Sequence, residues 1–259
     1  MHALVDSHAH LDHDAFDADR AETLGRAAEA GVTSVVVPAT DARSWRRIHE
    51  LADTHPCIHP AYGLHPMFLT EDARTHVDEL SSWLASHPAV AVGEIGLDFH
   101  VKDINPALQR QVFARQLAIA REHDLPVIVH GRGAMEEVVL TLRRCGGVRG
   151  VVHSFSGSEQ QARQLWDIGF HLGIGGPVTY ERAQRLRRIV AGMPLAHLLL
   201  ESDAPDQPDA MHRGRRNEPA RVATVAACIA ALRGESPAAI ATATTANARR
   251  LFNLQPALP

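Results

Sequence analysis

Short apolar runs alternate along the chain with longer segments in which apolar residues recur three and four positions apart. The runs centre on Leu4-Val5, Ser34-Val37, Ile58-Tyr62, Val90-Val92, Val127-Val129, Gly150-Val152, Phe170-Ile174 and Leu198-Leu200. Their length and apolar, largely β-branched content predict strands. Helical spacing predicts helices near Arg20-Ala30, Ala42-Thr54, Thr75-Ser86, Gln109-His123, Ala134-Arg144, Glu159-Ile168, Glu181-Ala191 and Pro219-Leu232. The fourth carries Phe113, Leu117 and Ala120 at helical spacing and stops at Asp124-Leu125-Pro126, where proline ends the pattern. Strands that alternate with helices imply a parallel sheet. Eight of each predict an α/β fold, a single (β/α)8 TIM barrel forming one domain over residues 1–259. An extra C-terminal helix, roughly Pro237 to Leu254, is expected to pack on the outside.

Composition narrows the class. With 259 residues and 45% hydrophobic content, the chain can bury a sizeable core, and no linker or low-complexity tract divides it. No run approaches the roughly 18 apolar residues of a membrane span, and the start, MHALVDSHAH, lacks the features of a leader. The expectation is a cytoplasmic monomer with no membrane partner. Cys57, Cys145 and Cys228 are far apart and odd in number, which fits buried thiols in a reducing compartment and no disulfide framework. A net charge of -4 argues against a protein that coats duplex DNA electrostatically. Any nucleic-acid contact must then be local. The 17 histidines stand out, since imidazole is the commonest metal ligand. His2, His49, His55, His76, His87, His123, His197 and His212 fall in predicted helices, helix ends or polar loops and are expected to be solvated.

Active groups of such a barrel sit at the C-terminal ends of its strands, and five of the eight predicted ends carry strong ligands. His8 and His10 follow the first strand, Glu94 the fourth, His130 the fifth, His153 the sixth and Asp203 the eighth. His8 and His10 alternate as strand residues do, so they project together. Ionisable groups gathered at an apolar barrel would be heavily desolvated, and metal supplies the compensating charge. Nitrogen and carboxylate donors without thiolate suit zinc, manganese, magnesium or a similar divalent ion, with the identity left open. Six donors exceed what one catalytic ion with an open position needs, so two divalent cations are expected. His8 and His10 would hold one, His130 and His153 the other, and Glu94 would bridge them. Paired ions about 3.5 to 4 Å apart activate water and clamp a phosphoryl displacement. In that chemistry Asp203 would bind one ion and take the water's proton. Glu201, two residues earlier on the same strand face, either orients a ligand histidine from behind or forms a rim salt bridge.

The segments DSHAHLD, GLHP, GEIGLDF, LPVIVHGR, VVHSFSGS, ESDAP and RRNEP closely resemble, in order and over almost the whole chain, the motifs of the TatD family of metal-dependent hydrolases. VPATDA, VAVGEIGLD and SDAPDQP look especially like its YjjV branch. The resemblance implies a two-metal barrel with deoxyribonuclease or phosphodiesterase activity, exonuclease-like on single-stranded DNA or RNA, with His8, His10, Glu94, His130, His153 and Asp203 as ligands. It also suggests substrate contacts at His65, at Arg132 and in the loop carrying Arg213, Arg215 and Arg216, where cations can hold phosphate oxygens. Asn217 followed by Glu218-Pro219 reads as a helix cap with proline at the first position.

Two positions depart from the pattern. Ser202 stands where many relatives have Thr, and either hydroxyl can hydrogen-bond. Asp206 and Gln207 stand where nuclease-like relatives often have Tyr-Leu, so a base-stacking aromatic is missing from that rim. The chief rival is an amidohydrolase-like enzyme that cleaves a C–N or ester bond, since that superfamily shares the HxH, His, His, Asp order. Many of its binuclear members bridge their metals with a modified lysine, whereas this chain has Glu94. A barrel that only binds metal or a partner would be signalled by lost ligands, and none is lost.

Overall fold

The computed structural model describes residues 2–255; Met1 and residues 256–259, the ends of the expected single domain, lie outside them. Eight parallel strands follow one another round a barrel in chain order: β1 (Leu4–Asp6), β2 (Val32–Pro38), β3 (Ile58–Tyr62), β4 (Ala91–Asp98), β5 (Val127–Arg132), β6 (Gly150–Val152), β7 (His171–Ile174) and β8 (Leu198–Leu200). The first and last strands meet through Ser7 N–H, which donates to the Leu200 carbonyl at 2.9 Å. The helices between them are α1 (Arg20–Glu29), α2 (Ala42–Thr54), α3 (Ala73–Ser86), α4 (Pro106–Glu122), α5 (Met135–Cys145), α6 (Glu159–Trp166), α7 (Gln184–Gly192) and α8 (Val222–Arg233). This is the expected (β/α)8 architecture. Local chemistry sets the helix starts: α4 begins three residues before the expected Gln109, because Asn105 accepts the Ala107 N–H at 2.8 Å and Pro106 occupies the first position.

Four expectations are corrected. β4 does not stop at Val92 but runs on to Asp98 through a register shift between Val92 and Ile95. Gly96 adopts φ +140 there, with the His130 carbonyl 2.1 Å from where a Cβ would stand, so only glycine fits. Glu94 therefore lies within β4 rather than after it, as His130 lies within β5. The C-terminal helix α9 (Pro237–Phe252) does not lie on the barrel's outside. Its end, with Ala248, Leu251, Phe252 and Leu254, packs against Val5, Val36, Ala61, Ala91, Ile128, Val151 and Leu199. These residues belong to seven different strands, so α9 plugs the N-terminal end of the lumen. Polar bonds fix the plug: Thr245 Oγ1 donates to the Ala3 carbonyl at 2.7 Å, and Asn247 Nδ2 to the Leu198 carbonyl at 3.0 Å.

The peripheral histidines, His2 apart, are half-buried rather than solvated, and several are held by stacking or hydrogen bonds. His87 stacks on Trp83 at 3.6 Å, and His123 meets Ser81 at 3.0 Å. All three cysteines are free and half-buried rather than fully buried. No helix among the described residues is long and apolar enough to cross a membrane.

Candidate metal centre at the barrel mouth

All six expected ligands converge at the C-terminal mouth. Their hub is Glu94, 1% exposed, whose two carboxylate oxygens face different partners. Oε2 lies 3.1 Å from His8 Nε2 and 3.5 Å from His10 Nε2. Oε1 lies 2.7 Å from His153 Nε2, 3.0 Å from His130 Nδ1 and 3.0 Å from His65 Nε2. Asp203 Oδ1 completes the first side, 3.5 Å from His8 and 3.8 Å from His10. Three sets emerge whose donor atoms lie within 4.8 Å of one another: His8, Glu94 and His153; His8, His10 and Asp203; His65, Glu94 and His130.

Hydrogen bonds around the ring decide which nitrogens offer a lone pair. His10 Nδ1 faces the Pro38 carbonyl at 3.2 Å, an acceptor only, so its proton sits there and Nε2 is free to ligate. His130 Nε2 faces Asp98 Oδ2 at 3.0 Å, which leaves Nδ1 free toward Glu94. His65 is the reverse. Its Nδ1 accepts the Met67 N–H at 3.0 Å, so in the neutral ring the proton lies on Nε2, the atom that faces Glu94. His65 is thus presented as a donor, although distance alone groups it with the ligands. Glu94 Oε1 has no well-directed hydrogen bond despite three ring nitrogens within 3.0 Å, and His8 Nδ1 and His153 Nδ1 are likewise buried without one. Such orphaned donor atoms around a buried carboxylate fit divalent cations, which would supply the missing charge.

The electrostatics follow from that crowding. Burial drives His8 well below its ordinary range, with the neighbouring His153 adding to the effect, and burial pushes His65 down to about 4. Burial also opposes the charged forms of His10 and His153, but Glu94 outweighs it and holds them up to about 9 and about 10. For Glu94 burial is likewise overcome: the surrounding imidazoles, His153 first, keep it well below the usual carboxylate range. Asp203 is pushed up by burial. Its main chain adopts φ 56 and donates its N–H to the His8 carbonyl at 2.9 Å, and its Oδ2 accepts from Gln207 Nε2. Gln207 Nε2 also donates to Ser154 Oγ at 2.7 Å, so the residue that replaces a hydrophobic one in the motif is engaged with the site.

Two further acidic groups, given no role by the motifs, support the centre. Asp98 anchors His130, and burial of its carboxyl is overcome by that contact, so it titrates below its ordinary range. Asp6 is fully buried and accepts from Ser202 Oγ at 2.6 Å and Ser202 N–H at 2.9 Å, tying β1 to β8 below the site. The quoted motifs DSHAH and GEIGLD contained both residues; their placement two before His8 and four after Glu94 was the available signal. Glu201 is not a rim residue. It sits inside the barrel, accepts the Ser154 N–H at 2.5 Å and faces His153 Nδ1 at 4.0 Å, beyond hydrogen-bond reach. Burial pushes it up to about 8. Gly173 makes room for it, since a Cβ there would stand 2.0 Å from Glu201 Oε2.

The centre opens into a cleft of about 1380 Å³ lined by His10, His65, Glu94, His130, His153 and Asp203, with Arg132 exposed on its wall. The arginine loop does not join it. Arg216 pairs with Asp19 at 2.6 Å and lies over the Phe16 ring, while Arg213 and Arg215 are outside the lining. Asn217 is also not the helix cap that was expected. It is buried, donates to the Ser202 and Asp206 carbonyls at 2.7 and 2.8 Å, and leaves the start of the turn Pro219–Arg221 to Glu218.

The chain is similar to several known proteins. The family model described as TatD related DNase matches residues 5–253. The metal-dependent hydrolase YjjV of Escherichia coli K12 is 41% identical over 254 residues, covering 97% of this chain and 98% of that protein. Its crystal structure superposes with a TM-score of 0.93 at 39% identity, covering 97% of this chain and 98% of that one. The 3'-5' ssDNA/RNA exonuclease TatD of Erwinia tasmaniensis is 35% identical over 260 residues, covering 97% of this chain and all of that protein, 100%.

Proposed function

The chain belongs to the TatD-related DNase family, and from that premise we propose that this metal-dependent hydrolase is a phosphodiesterase working as one domain on single-stranded DNA or RNA. The observation that carries the proposal is the division of Glu94, with one oxygen toward His8 and His10 and the other toward His130 and His153. His8, His10 and Asp203 would hold one divalent cation and His130 and His153 another, with Glu94 serving both. Cations bound there would lower the pKa of water and offset charge on a phosphoryl group.

The chain's own groups do the rest. Asp203, raised by burial, accepts the proton of the attacking water, while Gln207 holds its Oδ2. His65 donates its Nε2 proton to a phosphate oxygen, and Arg132 supplies positive charge beside it. The departing oxygen takes up the proton that Asp203 accepted, so the cleavage products are a phosphomonoester and a free hydroxyl. The nucleic-acid part of the proposal is supported by the activity named for the Erwinia relative.

The test is a parallel assay of single-stranded DNA, RNA, a phosphodiester dye and acyl amides, each with chelator and with added zinc, manganese or magnesium. Metal-dependent shortening of the nucleic acids is expected. Metal-dependent turnover of the amides alone would overturn the proposal in favour of C–N hydrolysis.

A further inference from the structure

The cleft has two unlike walls. In a barrel whose eight strands run in chain order, β3 and β7 lie across the mouth from each other. After β7 the lining carries Arg182 and Arg185, both exposed; Arg132 stands at β5, midway between the two walls, while Arg43 and Arg47, after β2, are paired with Asp41 and with Asp14 and Asp17. After β3 the turn Pro66–Phe68 puts Met67 and Phe68 on the lining, 37% and 51% exposed. Only four large apolar side chains are exposed among the described residues. Single exposed apolar groups need no explanation, but two adjacent ones on the wall of a reaction cleft are not accounted for by packing. The Phe68 ring centre lies 5.5 Å from that of His65, whose Nε2 is 3.0 Å from Glu94. A planar apolar face thus stands one ring away from the reacting groups. The β8 rim offers no such face: Asp206 is exposed and charged, and the Gln207 amide is engaged by Asp203 and Ser154.

We infer that Phe68, flanked by Met67, is the platform on which a nucleobase of the substrate stacks. This rests on the phosphodiesterase reading and sharpens it: the substrate is held by a base on the β3 side and by its phosphates on the arginine side. A benzyl ring takes the π-face of any base, so the site requires a base without selecting its identity. The aromatic missing beside Gln207 is thereby supplied from the far side of the cleft.

The experiment uses two single-stranded oligomers of equal length, one of thymidylate and one of abasic tetrahydrofuran phosphates, with the metal-loaded wild type, Phe68→Ala and Phe68→Trp. The wild type should show the lower KM on the thymidylate oligomer. Phe68→Ala should raise that KM roughly tenfold, the size of one base–aromatic stack, while leaving the abasic KM and both kcat values unchanged. Phe68→Trp should restore the preference. Equal wild-type KM values, or a Phe68→Ala change that affects both oligomers alike, would overturn the inference. Binding of the same oligomers to Asp203→Asn, alone and combined with Phe68→Ala, is followed by fluorescence anisotropy. Turnover of neither oligomer would sink the phosphodiesterase reading; a base preference in binding that Phe68→Ala abolishes would still support the platform, and its absence would overturn it.

Discussion

The two ends of the barrel lumen carry opposite chemistry within a few residues along the strands. At the lower level Val5, Val36, Ala61, Ala91, Ile128, Val151 and Leu199 meet the plug formed by α9. Toward the other end stand Glu94, three residues beyond Ala91, and His130, His153 and Glu201, two residues beyond Ile128, Val151 and Leu199. The lower layer stabilises the barrel by apolar burial, about 1.5–3 kcal/mol for each large side chain. The upper layer does the opposite: it holds desolvated charges whose unpaired atoms call for cations. Stability and chemistry are thus stacked within one lumen rather than divided between domains.

Substitutions can break this division. The largest effect is expected from Asp203→Asn, which should lower kcat by about 10²–10⁴-fold while circular-dichroism melting of the metal-free protein shows an intact fold. Wild-type turnover by that variant would remove Asp203 from the proton transfer. Phe252→Ala probes the other end: truncating a buried aromatic in the plug should cost about 3–5 kcal/mol in urea unfolding, with kcat of the folded protein unchanged. A parallel fall in kcat would show that the two layers are coupled.

Asp98→Asn should act more mildly, weakening metal affinity about 10–100-fold in competition with a chelating dye, because Asp98 orients His130 from behind. Unaltered affinity would exclude that role. The last effect expected is a pH-dependent one. In the metal-free fold His10 and His153 titrate at about 9 and about 10 against an ordinary 6.5, so the folded state holds these protons more tightly than the unfolded chain. Their stabilising contribution is complete below pH 6.5 and is lost as pH rises through about 9 to 10. Metal affinity should climb over the same interval, since binding displaces the protons. A urea midpoint that stays flat across that range without metal would contradict the ion pairing at the mouth.

Much of the site was legible because its signals are local. Each ligand follows or ends a short apolar run, and a run of β-branched residues with helical spacing after it reads the same in the chain as in the barrel. What escaped depended on partners distant in sequence. The position of α9 was missed because an amphipathic helix reveals which face it buries but not which surface it buries it against. Arg216 sits in a motif that suggests a phosphate contact, but Asp19, nearly two hundred residues away, engages it. Asp98 gained its role only when β4 ran on past its apolar start beside β5, opposite Arg132.

The sequence by itself determined the order of strands and helices, the barrel they imply and the six acidic and imidazole groups at its mouth, since periodicity and motif spacing are properties of the chain. Tertiary structure alone decided which ring nitrogens of His10 and His130 offer a lone pair, which oxygen of Glu94 faces which partners, and that Phe68 and Arg182 line one cleft. Those depend on hydrogen-bond partners and facing walls that only barrel closure brings together.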